Sequence, residues 1–278
     1  MTEQSNWEHY LLNDDDVADF IIKGYLILDT GSGQEVNRSI LERLNSLDSN
    51  PGDKIIEAAP QLSEIYDHPR VRGALSSLLG HDYSMNKHRH CHRNPSGSRS
   101  QIWHQDSLDI SSLHPRHDKH VHQLLMMYYP QDVNKLNGPT ALIPGTHLLS
   151  NQARDRTASQ GNFKYQVIAE VPAGHVLILH YDIWHAGTAN SSGNIRYMIK
   201  FLFDRVSEST IPSWKHDPSK SFGITTKLDT QPTMGLQRSL GDRIRINRRE
   251  MWNNLSGSRV AIEDYYDRFT GAWPTVPT

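Results

Sequence analysis

Hydrophobic positions change their spacing once along this chain. Up to about residue 83 they recur at helical intervals. Val17, Phe20 and Ile21 share one helical face behind Asp14, which reads as an N-cap, and Gly24 closes the segment. Residues 25–28 form a short apolar run with strand character. A second helical pattern covers 36–47, and a third follows His68-Pro69, where Val71, Leu75, Leu78 and Leu79 are apolar and Gly80 is the stop. From residue 84 short apolar runs alternate with turn signals such as Asn94-Pro95-Ser96-Gly97, Asn137-Gly138-Pro139 and Asn190-Ser191-Ser192-Gly193. Strands are expected near 84–92, 101–106, 122–129, 140–143, 165–171, 176–180, 183–186 and 195–203. So many short strands predict a β-sandwich or barrel. Residues 124–129 are apolar at every position, as in a strand covered on both faces. Residues 206–235 read as loop and 236–255 as an arginine-rich helix.

Composition narrows the function classes. The 278 residues suit one large domain. Lys and Arg total 29 against 31 for Asp and Glu, a balance that argues against a nucleic-acid surface and gives no reason to invoke a membrane. No run reaches the roughly 20 apolar residues of a membrane helix, and the polar first residues carry no signal-peptide pattern, so a cytoplasmic enzyme is expected. Cys91 is the one cysteine, which excludes an internal disulfide and a thiolate zinc cluster; it reads as a small strand residue. Histidine is abundant, sixteen in all, seven of them within 88–92 and 114–122.

Trp103-His104-Gln105-Asp106 contains His-x-Asp. On a strand, residues i and i+2 project from one face, so an imidazole and a carboxylate at this spacing reach adjacent positions of one ion. A distant second histidine would complete a facial triad, which leaves open positions and suits non-haem iron(II). His180-Tyr181-Asp182 is a rival pair, but His185 has the opposite strand parity to both. His185 lies in Trp184-His185-Ala186-Gly187 near a turn, and Arg196 follows eleven residues later. Arginine offers the planar bidentate fork that a dicarboxylate requires.

Taken together, His104-Gln105-Asp106, Asn137-Gly138-Pro139-Thr140, Pro144-Gly145-Thr146-His147, and His185 with Arg196 resemble the phytanoyl-CoA dioxygenase family over roughly residues 14 to 205. The resemblance implies a mainly β fold with flanking helices, built on a double-stranded β-helix (jelly-roll, cupin-like) core. It implies iron(II) held by His104, Asp106 and His185, and 2-oxoglutarate held by Arg196. Dioxygen would be the second co-substrate, and a small metabolite would be hydroxylated with release of succinate and carbon dioxide. Relatives that halogenate generally lack the carboxylate ligand, so Asp106 favours hydroxylation or a related oxidation over halogenation. Several members carry a serine two residues after the distal histidine, where this chain has Gly187; Thr140, Gln101 or Thr188 are candidates to supply the missing hydrogen bond.

The whole chain, 1–278, is then one oxygenase domain: helical support over 1–83, β core over 84–205, and an extension over 206–278 that caps the barrel mouth or forms a subunit contact. Alternatives remain open here: a cupin-like metal enzyme would leave Arg196 without a use, and a non-catalytic β-sandwich binding module would require none of these residues. Strand parity places Arg196, Met198, Lys200 and Leu202 on one face, so an inward Arg196 brings Lys200 inward and obliges it to find an acidic partner or an anionic ligand. Two basic clusters, residues 87–93 and Arg116 with His117, Lys119, His120 and His122, would favour an anionic substrate if they meet the metal; otherwise they are solvated strand ends and loops. The run Arg243, Arg245, Arg248 and Arg249 reads as a solvated helix face or as a contact for an acidic ligand. Trp103, Trp184, Tyr128 and Tyr129 read as packing residues. The sequence leaves the oligomeric state and the substrate unassigned.

Overall fold

The structure is a computed structural model describing residues 7–106, 120–149, 161–233 and 238–258. Arg116, His117 and Lys119 lie outside the described residues. Helix α1 (Asp14–Lys23) is capped by Asn13 rather than Asp14. Asn13 Oδ1 accepts the Asp16 N–H at 3.0 Å, and Asp16 Oδ2 accepts the Asn13 N–H at 3.1 Å, so two orphan donors are satisfied reciprocally. Asp14 is buried instead. Its carboxylate accepts Trp214 Nε1 at 2.6 Å, His216 Nδ1 at 2.8 Å and the Asp217 N–H at 2.8 Å, which ties the C-terminal segment to α1. Gly24 ends the helix at φ 83°, and a Cβ there would sit 2.4 Å from the His147 ring; glycine alone meets both demands.

After β1 (Tyr25–Asp29) come α2 (Gly33–Asn45), the short α3 (Ile55–Ala58) and α4 (Ser63–Tyr66), and α5 (Pro69–Leu79). Seven strands follow: β2 (Ser84–Asn94), β3 (Gln123–Tyr128), β4 (Thr140–Ile143), β5 (Val167–Ala169), β6 (His175–His180), β7 (Trp184–Gly187) and β8 (Arg196–Asp204). They form two antiparallel sheets, one of order β1-β6-β3-β8-β2 and one of order β5-β4-β7. The expected strand over 101–106 is reduced to a single bridge between His104 and His185. The cause is local. The Gly187 N–H is taken by Gln101 Oε1 at 2.9 Å, although the Gln101 N–H does reach Gly187 O at 2.8 Å, so the ladder lacks its reciprocal main-chain bond there.

The unbroken apolar run of β3 is explained by burial on both sides. Leu124, Met126 and Tyr128 pack with Phe20, Ile40 and Leu75 in the layer between the large sheet and the helices. Leu125, Met127 and Tyr129 face the other way, toward Leu142 of β4 and Ala169 of β5. A fully buried side chain of this size contributes about 1.5–3 kcal/mol, and both faces of β3 collect it. Cys91 is buried in β2, and burial pushes its thiol up to about 11, in keeping with a packing residue. Among the described residues, no helix is long and apolar enough to cross a membrane.

The segment read as loop over 206–235 contains a helix, α6 (Ser221–Thr230), and α7 (Arg238–Ser256) follows. The α6 pattern is thin because only Ile224 and Leu228 are buried, among glycine and threonines of low helix propensity. Long-range contacts hold it. Arg248 is 2% exposed and donates to Leu228 O at 3.1 Å, Gln231 O at 2.9 Å and Pro232 O at 3.0 Å. Arg245 donates to Asp229 O at 2.9 Å, and Arg249 pairs with the Asp229 carboxylate. Of the four arginines only Arg243 is exposed, so the run is mostly a structural staple rather than a solvated face. No described residue of this segment lines the cavity between the sheets.

Replacing Arg248 with Met should lower the unfolding free energy by about 2–4 kcal/mol, because three carbonyls lose a charged donor at once. Urea denaturation gives the loss, and amide exchange over 221–230 should accelerate with it. A change within about 0.5 kcal/mol would show that α6 is held by other contacts.

Candidate metal centre

Reciprocal main-chain bonds join His104 to His185: His104 N–H reaches His185 O at 3.0 Å, and His185 N–H reaches His104 O at 2.9 Å. These two residues, distant in sequence, are thereby locked opposite one another, with ring centroids 4.4 Å apart. Two residues on, Asp106 projects to the same side. One ligand atom from each of His104, Asp106 and His185 lies within 4.8 Å of the others, a span that one metal ion bridges.

The tautomers follow from hydrogen bonding. His104 Nδ1 donates to Ile102 O at 2.9 Å, and His185 Nδ1 donates to Ile183 O at 3.1 Å. A carbonyl oxygen only accepts, so each imidazole carries its proton on Nδ1 and turns an unprotonated Nε2 toward the centre. The Nε2 atoms stand 3.9 Å (His104) and 3.8 Å (His185) from the Asp106 oxygens, beyond direct hydrogen-bonding reach.

Lys200 does turn inward with Arg196, and it meets an acid: Nζ donates to Asp106 Oδ2 at 2.8 Å. Burial alone would raise the Asp106 carboxyl, but His185, Lys200 and His104 outweigh it and hold the group down at about 2. His185 moves the other way for a base. Burial, aided by His104 and Lys200 against the pull of Asp106, depresses it to about 4. The carboxylate is therefore ionised and the imidazole neutral across the physiological range, the forms that bind a metal.

A cavity of about 200 Å³ opens from the triad between the two sheets. Arg196 forms its inner wall and is 2% exposed. Its Nη2 donates to Gly138 O at 2.6 Å, while its Nε has no partner among the described residues. Gly138 accepts this bond from a turn at φ 73°, where a Cβ would lie 2.8 Å from Thr188 O. The guanidinium thus lines the cavity while its Nε is a buried donor without a match among the described residues.

The other sequence candidates separate cleanly. Gln101 and Thr140 line the cavity; Thr140 Oγ1 is bonded to the Tyr129 hydroxyl at 2.7 Å. Thr188 does not line it, because its hydroxyl donates to Pro139 O at 2.8 Å. Gly187 explains Gln101: a Cβ at Gly187 would approach Gln101 Oε1 to 3.0 Å, so the missing serine leaves the space that this side chain enters. His180 is buried 6.4 Å from the Phe20 ring and 4.9 Å from His147, apart from the triad. Trp103 and Trp184 pack with Ala141, Ile143 and Ala186 on the outer side of the small sheet. His147 is structural as well, with Nε2 donating to Ile21 O at 3.0 Å.

Sequence reasoning missed two lining residues, Asn94 and Met127; it placed His92 in the basic segment 87–93 and Met198 on the face of Arg196. Register accounts for His92, which opposes Met198, and for Asn94, which opposes Arg196, on paired strands. The remaining basic residues of 87–93 mostly look outward; His88 and His90 each approach Asp53 at 3.5 Å on the half-exposed rim. His120 and His122 do not line the cavity.

The model of the family described as phytanoyl-CoA dioxygenase (PhyH) matches residues 35–198. Among solved structures, HygX from Streptomyces hygroscopicus with nickel and 2-oxoglutarate bound is 16% identical at a TM-score of 0.58, with 77% of this chain and 93% of that chain covered. The non-haem monooxygenase ThoJ in its apo form is 16% identical at a TM-score of 0.54, covering 85% of this chain and 98% of the other. These likenesses establish the shared fold. No curated protein matches the chain in sequence.

The depressed His185 basicity is measurable in the metal-free protein. Folded His185 should stay neutral as pH falls below 6.5, the ordinary histidine value, and take its proton only near pH 4. Because the unfolded chain binds that proton first, this residue withdraws stability as pH drops from about 6.5 toward 4. Ring-carbon NMR shifts of labelled histidine would follow the titration, and a midpoint near 6.5 would contradict the buried placement.

Proposed function

The chain belongs to the phytanoyl-CoA dioxygenase family, and from that premise we propose that it is a non-haem iron(II)- and 2-oxoglutarate-dependent dioxygenase that hydroxylates a small molecule, on a double-stranded β-helix core. The observation that carries this reading is the convergence of two Nε2 atoms and one carboxylate with the unmatched Arg196 in one cavity. Two imidazoles and one carboxylate on one side of an ion match iron(II) and leave positions for a chelating co-substrate and dioxygen. HygX has been crystallised with iron and with nickel and 2-oxoglutarate, which accords with that donor set.

Held by His104, Asp106, His185 and Arg196, iron(II) and 2-oxoglutarate would supply the dioxygen chemistry for oxidising a substrate C–H bond, with succinate and carbon dioxide as co-products. The chain's own residues do the positioning. His104 and His185 present Nε2, each ring fixed by its Nδ1 bond to the carbonyl two residues earlier. Asp106 supplies the anionic ligand and favours hydroxylation over halide transfer. Arg196 is aimed to receive the distal carboxylate of 2-oxoglutarate, with Gln101 and Thr140 beside it. Met127 and Met198 supply apolar wall that limits water. A cupin-like enzyme without 2-oxoglutarate would have no use for a guanidinium in the cavity wall.

Anaerobic titration with iron(II) and 2-oxoglutarate tests this directly. The wild type should develop the weak visible charge-transfer band; His104→Ala should lose it; Asp182→Asn, which alters only the rival pair, should keep it. Arg196→Ala should weaken 2-oxoglutarate by about 2–4 kcal/mol, roughly 30- to 1,000-fold. Iron binding without a band in the wild type would sink the 2-oxoglutarate assignment and leave the cupin-like enzyme. Failure to bind iron would leave a non-catalytic module.

A second measurement concerns Gln101. Gln101→Ala should weaken 2-oxoglutarate by about 1 kcal/mol, roughly fivefold. Gly187→Ser in that background should recover most of the loss, since the hydroxyl then enters the vacated space. Unchanged affinity in Gln101→Ala would remove this residue from the site.

A further inference from the structure

Of the described residues lining the cavity, three carry formal charge: Asp106, Arg196 and Lys200. Filling the site changes their balance. The two charges of iron(II) are met by the Asp106 carboxylate and the chelating carboxylate of 2-oxoglutarate. The distal carboxylate meets Arg196. Lys200 is then left as a cation with no charge of its own to balance it. Its side chain is 12% exposed, on a strand flanked by β3 and β2, so solvent compensates it poorly.

The hydrogen-bonding capacity of Lys200 points the same way. An ammonium has three N–H donors, and the bond to Asp106 Oδ2 uses one. The side chain lines the cavity, so its remaining capacity is available there. His92 stands on the neighbouring strand, close enough for the Lys200 charge to act on it. Burial, His90, Lys200 and Arg196 depress it to about 3, so it offers a hydrogen bond without further charge. Arg196 and Lys200 lie four residues apart on β8, about 13 Å along an extended strand. An anion at Lys200 would thus be separate from the far end of 2-oxoglutarate.

Resting on the iron- and 2-oxoglutarate-dependent reading, we propose that Lys200, with His92 beside it, is the docking point for one carboxylate of the primary substrate, so that the enzyme oxidises a small, singly anionic compound. The charge count sets the valence. A neutral substrate leaves the ammonium uncompensated, and a dianion overshoots it. The acid group would be anchored next to Asp106, which places the carbon chain behind it over the metal.

The test separates this proposal from the reading beneath it. The iron(II)·2-oxoglutarate charge-transfer band is recorded first; its absence overturns the underlying reading and this proposal with it. Protein loaded with zinc(II) and saturating 2-oxoglutarate is then probed by ligand-observed NMR with benzoate, phenylacetate and isobutyrate, each against its primary amide. The carboxylates should bind about tenfold or more tighter than the amides. K200Q keeps a donor for Asp106 but removes the charge, and should abolish that preference; K200R should restore it. Should K200Q fail to hold metal, the wild-type comparison of acid with amide decides alone. Equal binding of the two series, or binding by neither, overturns the carboxylate site while leaving the oxygenase reading intact.

Discussion

The reciprocal main-chain bonds between His104 and His185 are the constraint on which the centre depends. They are bonds between backbones, so they fix the distance between two distant segments before any side chain acts. Each ring then takes its tautomer from a carbonyl two residues earlier in its own segment. The same geometry therefore recurs on both sides of the pair, and the two Nε2 atoms converge without support from a third element. Asp106 joins them by spacing alone. A slip of one residue in this pairing would turn the donors to the opposite face, where Trp103 and Trp184 now pack.

Around that pair, β8 behaves as a charged rail through an apolar sandwich. Its outer face supplies Tyr197, Ile199, Phe201 and Phe203 to the helix-side core. Its inner face supplies Arg196 and Lys200 to the cavity, with Met198 between them. Two cations on one buried face reduce stability unless anions meet them. Asp106 meets one at 2.8 Å, and Gly138 O satisfies only part of the other. The stability that carries this arrangement comes from elsewhere: the doubly covered β3, and the helical layer pinned through Asp14 and Arg248.

Much of this was legible in sequence because it rests on periodicity. The helical face of Val17, Phe20 and Ile21 and the alternation along β8 each show a period, the run over 124–129 is apolar throughout, and each element forms as its pattern predicts. The need of Lys200 for a partner was also legible, since parity forced it inward with Arg196. The partner itself was not, because nothing local links residue 200 to residue 106. The same limit accounts for α6, whose sequence is weak as a helix and whose arginine clamps come from α7. Asp14 was misassigned as a cap for a related reason: its partners Trp214 and His216 lie at the other end of the chain.

The histidine-rich segment shows why residue counts mislead where register does not. His88, His90 and His92 lie close together in sequence, yet only His92 lines the cavity. The register of β2 shifts between Met85 and Arg89, and beyond it His90 opposes Lys200, His92 opposes Met198 and Asn94 opposes Arg196. His88 and His90 reach the rim and the Asp53 carboxylate, while His92 is held neutral by its burial, with His90, Lys200 and Arg196 adding to the effect. One imidazole type thus takes a rim contact or a cavity contact within a few residues, according to which neighbours the pairing delivers. The electrostatic character of the cavity is accordingly set less by how many basic residues the chain carries than by which ones β8 and β2 bring face to face.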